Sequence, residues 1–237
     1  MDNNYYTSGI SSIDRVSFDA GLRAHMQRVF SYMGAGLAFT GLIAYLVSST
    51  ALAPIIYGTP LRWIAMLSPL VFMMILNFRL MSLSSSAARS LFLAFCGSMG
   101  LSMGMLFLIF TGDSIARAFF ITAATFGAMS LWGYTTKRDL SAFGSFLMMG
   151  VFGIMIACLV NLFLMSSQLQ WMVSILGVAI FTGLTAFDVQ RIKQTYAEGW
   201  GAETNDKLAV IGALQLYMNF INAFQFLLEL TGTMRRD

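Results

Sequence analysis

Charge is what this sequence has least of. Asp, Glu, Lys and Arg make up 11% of its 237 residues, against about 25% in a soluble domain. Too little polar surface remains to coat a globule. With 57% hydrophobic residues and a mean hydropathy of +0.73, the chain reads as an all-α polytopic membrane protein. Histidine is almost absent, His25 being the only one. That removes an HExxH zinc site and any base for a serine nucleophile inside a bundle. "CGSMG" is not a nucleophile elbow, and no phosphate-binding or dinucleotide fingerprint occurs. No enzyme and no cofactor is expected. The net charge is only +3 and the basic residues are scattered singly or in pairs rather than run together, which argues against a nucleic-acid partner. The two cysteines, Cys96 and Cys158, lie in apolar runs and read as reduced packing residues. No signal peptide is expected in the polar start "MDNNYYTSGISSIDR".

What the sequence does have is seven apolar runs of spanning length: Val29–Ser48, Trp63–Met81, Leu91–Phe110, Ala116–Trp132, Phe143–Leu164, Leu169–Phe187 and Leu208–Leu230. Breakers separate them: "STALAP", "GTPLR", "SLSSSAAR", "TGDS", "GYTTKRD" and "EGWGAETND". The expected organisation is a polar tail over 1–28, a seven-helix domain over 29–232 and a short tail over 233–237. Lys and Arg divide ten to four between the two sides. Arg15, Arg23, Arg28, Arg79, Arg89, Lys137, Arg138, Arg191, Lys193 and Lys207 face Arg62, Arg117, Arg235 and Arg236. The positive-inside rule therefore predicts a cytoplasmic N-terminus. Arg235 and Arg236 fall on the minority side. A re-entrant last segment would move them, but Leu208–Leu230 is long enough to cross. Gly100 and Gly104 in "GLSMG" have GxxxG spacing and predict close helix packing.

Polar side chains inside the runs are expensive and are the functional candidates. Gln215, Asn219, Asn222, Gln225 and Glu229 recur at spacings that place them within an arc of about 120° and along about 21 Å of the last helix. Lipid cannot satisfy such a stripe, so this helix should be enclosed or should line a wet cavity. A hydrogen-bonded seam and a conduction path both fit. Asp188 follows the sixth run. It would be a poor C-terminal cap, because the helix dipole disfavours a negative charge there. If the helix continues through "VQRIKQTY", Asp188 lies inside it, Arg191 sits three residues on, and Thr185 precedes it by three. The residue is then either a surface ion-pair partner or a gate. Arg79, beside Asn77 at the end of the second run, is either a snorkelling residue or a countercharge for Asp188. Asp188 and Glu229 are read as the only carboxylates within the spans, at opposite ends. That excludes an aspartyl-protease pair. A secondary transporter is disfavoured by the lack of paired interrupted helices.

"HMQRVFSYMGAGLAFTGLIAYL", "GYTTKRDLSAFGSFLMMG", "GLTAFDVQRI" and "GALQLYMNFINAF" resemble the first span, the fourth-to-fifth junction, and the sixth and seventh spans of bacterial Bax-inhibitor-like proteins, the transmembrane Bax-inhibitor-motif family. The resemblance covers nearly all of the chain beyond the tail. It implies seven helices with the seventh enclosed by the other six. It also implies a pH-sensitive calcium leak in the bacterial inner membrane, in which aspartates on the sixth and seventh spans share a proton and a second-span arginine locks the closed state. Asp188 matches the sixth-span aspartate, which would also meet the calcium ion, and Arg79 falls in the region of the arginine. The seventh span departs from the pattern: "LYMNFIN" puts Asn219 where the family has its second aspartate. Two adjacent carboxylates cannot both ionise, whereas an Asp–Asn pair lacks that repulsion. A weaker or acid-shifted pH response and a lower calcium affinity are expected. The resemblance equally allows a non-conducting regulator of membrane-protein quality control or stress protection, with other membrane proteins as partners.

Overall fold

The computed structural model describes residues 12–235. Residues 1–11 of the expected tail and Arg236 lie outside them, as does the side chain of Arg15. The chain forms α1 (Ser12–Ser49), α2 (Leu52–Tyr57), α3 (Leu61–Arg79), α4 (Ser85–Ile109), α5 (Gly112–Thr135), α6 (Ser141–Leu164), α7 (Ser167–Thr195) and α8 (Gly201–Thr231). Short 3-10 turns at Leu80–Ser82 and Glu198–Trp200 lead into α4 and α8. All but α2 are long and apolar enough to cross a membrane. The protein is a multi-pass, all-helical membrane protein.

The helices start where the sequence supplies caps. Ser84, Thr111 and Ser166 accept the N–H of Ala87, Ser114 and Leu169, satisfying a first-turn donor of α4, α5 and α7. Three boundaries differ from the apolar runs. α1 begins at Ser12, well inside the expected tail, because Leu22, Met26, Val29 and Met33 recur at helical spacing and are all buried. α7 runs on to Thr195, so Asp188 is inside it. α8 starts at Gly201, which makes Asp206 helical rather than part of a connecting loop.

α8 is the centre of the bundle. Fourteen of its residues are buried, against three in α6. It packs on α1, α4, α5 and α7, while α3 packs chiefly on α4 and α6 on α7. The expected enclosure is therefore built in two layers. Tyr217, wholly buried, sits edge-on to Phe92 and Phe95 with centroids 6.0 and 5.5 Å away. Its hydroxyl lies 2.7 Å from Thr40 Oγ1, which donates to the Cys96 carbonyl at 2.9 Å. One chain of hydrogen bonds thus joins α8, α1 and α4. The outer faces carry exposed Phe78, Phe120, Phe146 and Phe163, as lipid contact requires.

The end of α8 settles its path. The Thr111 N–H donates to the Thr233 carbonyl at 3.0 Å, and the Arg235 N–H donates to the Ile109 carbonyl at 2.8 Å. The C-terminal residues are thus tied to the α4–α5 turn, at the opposite end of the bundle from the start of α8. α8 crosses completely, and the re-entrant alternative falls. Close approach is also resolved: a Cβ at Gly100 would strike Ile43 and the Thr40 carbonyl, so the GxxxG pair packs α4 on α1.

Gly133 of α5 is tighter still. A Cβ there would fall on the backbone of Ala186 in α7, which cannot swing aside, whereas one at Gly127 would meet no atom within 4 Å. Gly133→Ala is expected to cost about 1–3 kcal/mol, read as a lower melting temperature in detergent. Gly127→Ala is expected to be neutral or stabilising by up to about 1 kcal/mol. Equal melting temperatures for the two variants would refute the backbone contact.

Candidate functional site

Asp188 lies seven residues from the end of α7, about 10 Å along the helix. It is half-buried and points at α8, where the buried Asn219 donates from Nδ2 to Asp188 Oδ2 at 2.7 Å. With Asp188 ionised, this is a charge-assisted hydrogen bond between two packed helices. The second carboxylate oxygen has no protein donor among the described residues. Of its two expected neighbours on α7, Thr185 turns away and donates to the Phe181 carbonyl at 2.9 Å. Arg191 is exposed and makes no ion pair with Asp188. The sequence pairing of Asp188 with Asn219 is therefore realised in space.

Arg79 is not brought to this site. It ends α3, is exposed, and forms no ion pair with Asp188. Of the two readings left open for it, the exposed position fits snorkelling, and no contact with Asp188 supports a countercharge. Shared depth in the membrane says nothing of position around the bundle, and α3 packs on α4, away from α7.

The polar stripe is satisfied at two places along α7. Asn219 meets Asp188. Ten residues on, Glu229 accepts Gln170 Nε2 at 2.6 Å and Ser174 Oγ at 3.2 Å. The two carboxylates thus stand about 15 Å apart at the two ends of one seam. Between them Asn222 and Gln225 are half-buried without a protein partner among the described residues, as is Gln215 beyond Asn219. Asn222 borders a cleft of about 370 Å³ walled by Ile154, Met155, Cys158 and Phe181. It opens where α6, packed on α7, leaves α8 uncovered. The stripe is not a fully paired seam among the described residues. No group of three or more His, Cys, Asp or Glu stands ready for a metal among the described residues.

A family model described as "Inhibitor of apoptosis-promoting Bax1" matches residues 22–236. The chain belongs to this family. It is 43% identical over 228 residues to an uncharacterized protein of Caulobacter vibrioides, covering 92% of this chain and 91% of the relative. It is 40% identical over 236 residues to one of Rickettsia prowazekii, covering 98% and 99%. It is also 39% identical over 220 residues to the inner membrane protein YbhL of Escherichia coli K12, covering 91% and 94%.

In this Bax1-inhibitor family member, two groups around the site escape a reading of the sequence. Gln190, buried, accepts the Leu140 N–H at 2.9 Å and donates to the Arg138 carbonyl at 2.8 Å. Lys193 donates to the Tyr134 carbonyl at 3.1 Å and sits 5.0 Å from its ring. "FDVQRIK" thus faces α8 with Asp188 and grips the α5–α6 connection with Gln190 and Lys193. The only signal was the polar residues at offsets of two and five from Asp188, off its face of the helix. Asp206 is the second group. It accepts the Tyr32 hydroxyl at 2.8 Å and lies 3.6 Å from the Arg89 guanidinium, so α8 is bound to both α1 and α4. The reading of Asp188 and Glu229 as the only carboxylates within the spans is corrected accordingly, since Glu203 and Asp206 lie inside the last helix, and Asp19 and Asp113 near the starts of the first and fourth spanning helices.

Gln190→Leu keeps the volume and removes both loop contacts. Leaving the buried Leu140 N–H unpaired is expected to cost about 1–3 kcal/mol. Amide hydrogen exchange at Leu140 should accelerate at least tenfold, with Phe220 in α8 unchanged. Unaltered exchange at Leu140 would show that the clamp does not hold the connection.

Proposed function

We propose that this protein is a calcium-permeable leak pathway of the bacterial inner membrane, gated at Asp188, with its N-terminus in the cytoplasm. The observation that carries this reading is the Asp188–Asn219 contact at 2.7 Å, inside the bundle, at one end of a seam whose amides lack protein partners. An ionised Asp188 with one neutral donor and no ion-pair partner attracts cations and leaves an oxygen free to meet them. Calcium takes six to eight oxygen ligands when held tightly. One carboxylate and a few amides supply too few for a resident site, which suits transit rather than storage. Membership of the Bax1-inhibitor family and the likeness to an inner membrane protein support the location, and the ten-to-four division of Lys and Arg supports the orientation. The role is conduction, without a cofactor and without catalysis.

Asn219 decides how such a gate answers to protons. With a neutral amide opposite, closing the contact needs no proton, because no second carboxylate must be neutralised. Protonating Asp188 weakens the hydrogen bond from Asn219 by removing its charge.

Purified protein in dye-loaded liposomes is expected to admit calcium faster than protein-free vesicles between about pH 6 and pH 8. Influx at the protein-free rate would remove the conduction reading in favour of a non-conducting regulator that acts through other membrane proteins. Restoring a second carboxylate with Asn219→Asp is expected to steepen the pH dependence of influx several-fold near neutrality. Asp188→Ala should flatten whatever dependence the natural chain has. Superimposable pH profiles for the natural chain and Asn219→Asp would count against the pair as the proton-sensitive element.

A further inference from the structure

A second polar site lies at the turn of the α7–α8 hairpin, beyond the Asp188 end of the seam. Where α1 enters the bundle, it faces the α7–α8 turn across a cleft of about 270 Å³ bordered by His25, Arg28, Tyr196, Gly201 and Asn205. His25 is only 2% exposed, yet neither ring nitrogen makes a hydrogen bond within 3.5 Å among the described residues, although the backbone of Asn205 lies close enough to act on the ring. The ring of Tyr196 packs against it at 5.5 Å. Asn205 is 8% exposed. Its Nδ2 donates to the Ala197 carbonyl at 3.0 Å, but its Oδ1 is buried and unpaired. Buried polar atoms without partners are rare in folded proteins, because each forfeits its hydration without a replacement. Three of them converging on one cleft call for a ligand.

The remaining walls define its charge. α8 begins at this cleft without a side-chain cap, Gly201 taking a φ of +74° that turns the chain into the helix. The first-turn N–H groups and the positive end of the helix dipole border the space. Arg28, one helical turn after His25, adds a full positive charge at the rim. No carboxylate lines the cleft among the described side chains, which do not include that of Glu198 in the turn, and Glu203 is paired with Lys207 at 3.1 Å. A cation is therefore disfavoured and an anion favoured. The unpaired Asn205 Oδ1, and whichever ring nitrogen of a neutral His25 lacks the proton, are acceptors. The ligand must therefore also donate hydrogen bonds. A bare carboxylate does not. A phosphate group that carries a hydroxyl, or an ester with hydroxyl or ammonium beside it, does. The volume lies below that of drug-sized pockets and suits a phosphate with a few further atoms.

The geometry points to a phosphate-binding site here, filled either by a small soluble phosphate or by the headgroup of a membrane lipid. The phosphate oxygens take the Arg28 guanidinium, the α8 N–H groups and one His25 nitrogen. The ligand's own donor takes Asn205 Oδ1. Bound there, it bridges α1 to the α7–α8 hairpin, the two helices of which carry Asp188 and Asn219. Binding would stabilise the bundle in proportion to occupancy.

His25 is the only histidine of the chain, so a tag-free full-length protein labelled with ¹⁵N at histidine reports on this cleft alone. In maltoside micelles at constant pH and ionic strength, the two probes are inorganic phosphate, and short-chain phosphatidylglycerol set against phosphatidylcholine. A saturable shift of the His25 ring nitrogens with inorganic phosphate supports the site with a soluble ligand. One with phosphatidylglycerol but not phosphatidylcholine supports it with a headgroup ligand. In either case Arg28→Gln, an exposed position that leaves the core intact, should weaken the apparent affinity at least tenfold. Arg23→Gln, exposed and off the cleft, should not. The melting temperature should rise with the effective probe in the natural chain and not in Arg28→Gln. Absence of a saturable shift with both probes, or an affinity unchanged in Arg28→Gln, would overturn the proposal. Neither result bears on calcium flux, so this test and the liposome test fail independently.

Discussion

A helix with amides and a carboxylate along one face cannot be left to lipid. Each unpaired polar group in hydrocarbon costs several kcal/mol, and α8 carries five along a single stripe. Much of the architecture follows from covering this helix. α1, α4, α5 and α7 lie against it, and α3 and α6 cover those in turn. The covering is fastened with polar contacts as well as apolar ones. Asp206 holds Tyr32 and Arg89 near one end, Tyr217 holds Thr40 in the middle, and the residues after Thr231 bond to the α4–α5 turn at the other end. Each fastening lies on the α1/α4/α5 side. On the α7 side the contacts are Asp188 and the Gln170–Ser174 pair, and between them the stripe is open.

That asymmetry separates scaffold from site. Tyr217 and its aromatic neighbours are fully buried with their polar atoms paired, as a rigid core requires. Asp188, by contrast, is half-buried, with one oxygen unpaired and no ion-pair partner among the described residues. A carboxylate in that setting is poorly explained by stability alone, because an apolar residue would pack there without the desolvation penalty. The hydrogen bond from Asn219 offsets part of that penalty but leaves the carboxylate without an ion pair. The same neutral partner that lowers the electrostatic cost of the site removes the proton sharing that two carboxylates would impose.

Much of this was legible in the residues, and what was not has physical causes. The seven spans could be read because hydrocarbon imposes length and apolarity on each. The helical start of α1 was also written in the sequence, as Leu22, Met26, Val29 and Met33, but a span criterion ignores amphipathic helix outside the apolar run. The pairing of Asp188 with Asn219 followed from the aligned motifs of the sixth and seventh spans. The lateral place of Arg79 did not follow, because hydropathy fixes depth and not the arrangement of helices around α8. Gln190 was missed because its partners are the backbone of "GYTTKRDL", and backbone groups leave no mark in a sequence. His25 stood out only as a lone histidine. Its significance lies in two unpaired nitrogens that only the packing of α1 against the α7–α8 turn reveals.

The contacts of α7 also determine on which side the seam can yield. Toward α5, the Gly133–Ala186 approach is backbone against backbone, and Gln190 pins the connection to α6 at two points. Displacing α7 there breaks hydrogen bonds and strands a buried N–H. Toward α6, the close approaches are glycine against side chain: Phe187 over Gly144, Ile180 over Gly150, and Leu147 over Gly183. Rotamers there can adjust on fast timescales at little cost. The cleft beside Asn222 already lies on that side. A movement that parts Asp188 from Asn219 therefore meets least resistance if α7 keeps its hold on α5 and shifts its packing on α6. The unpaired amides of α8 would then face the widened space, where water can satisfy them.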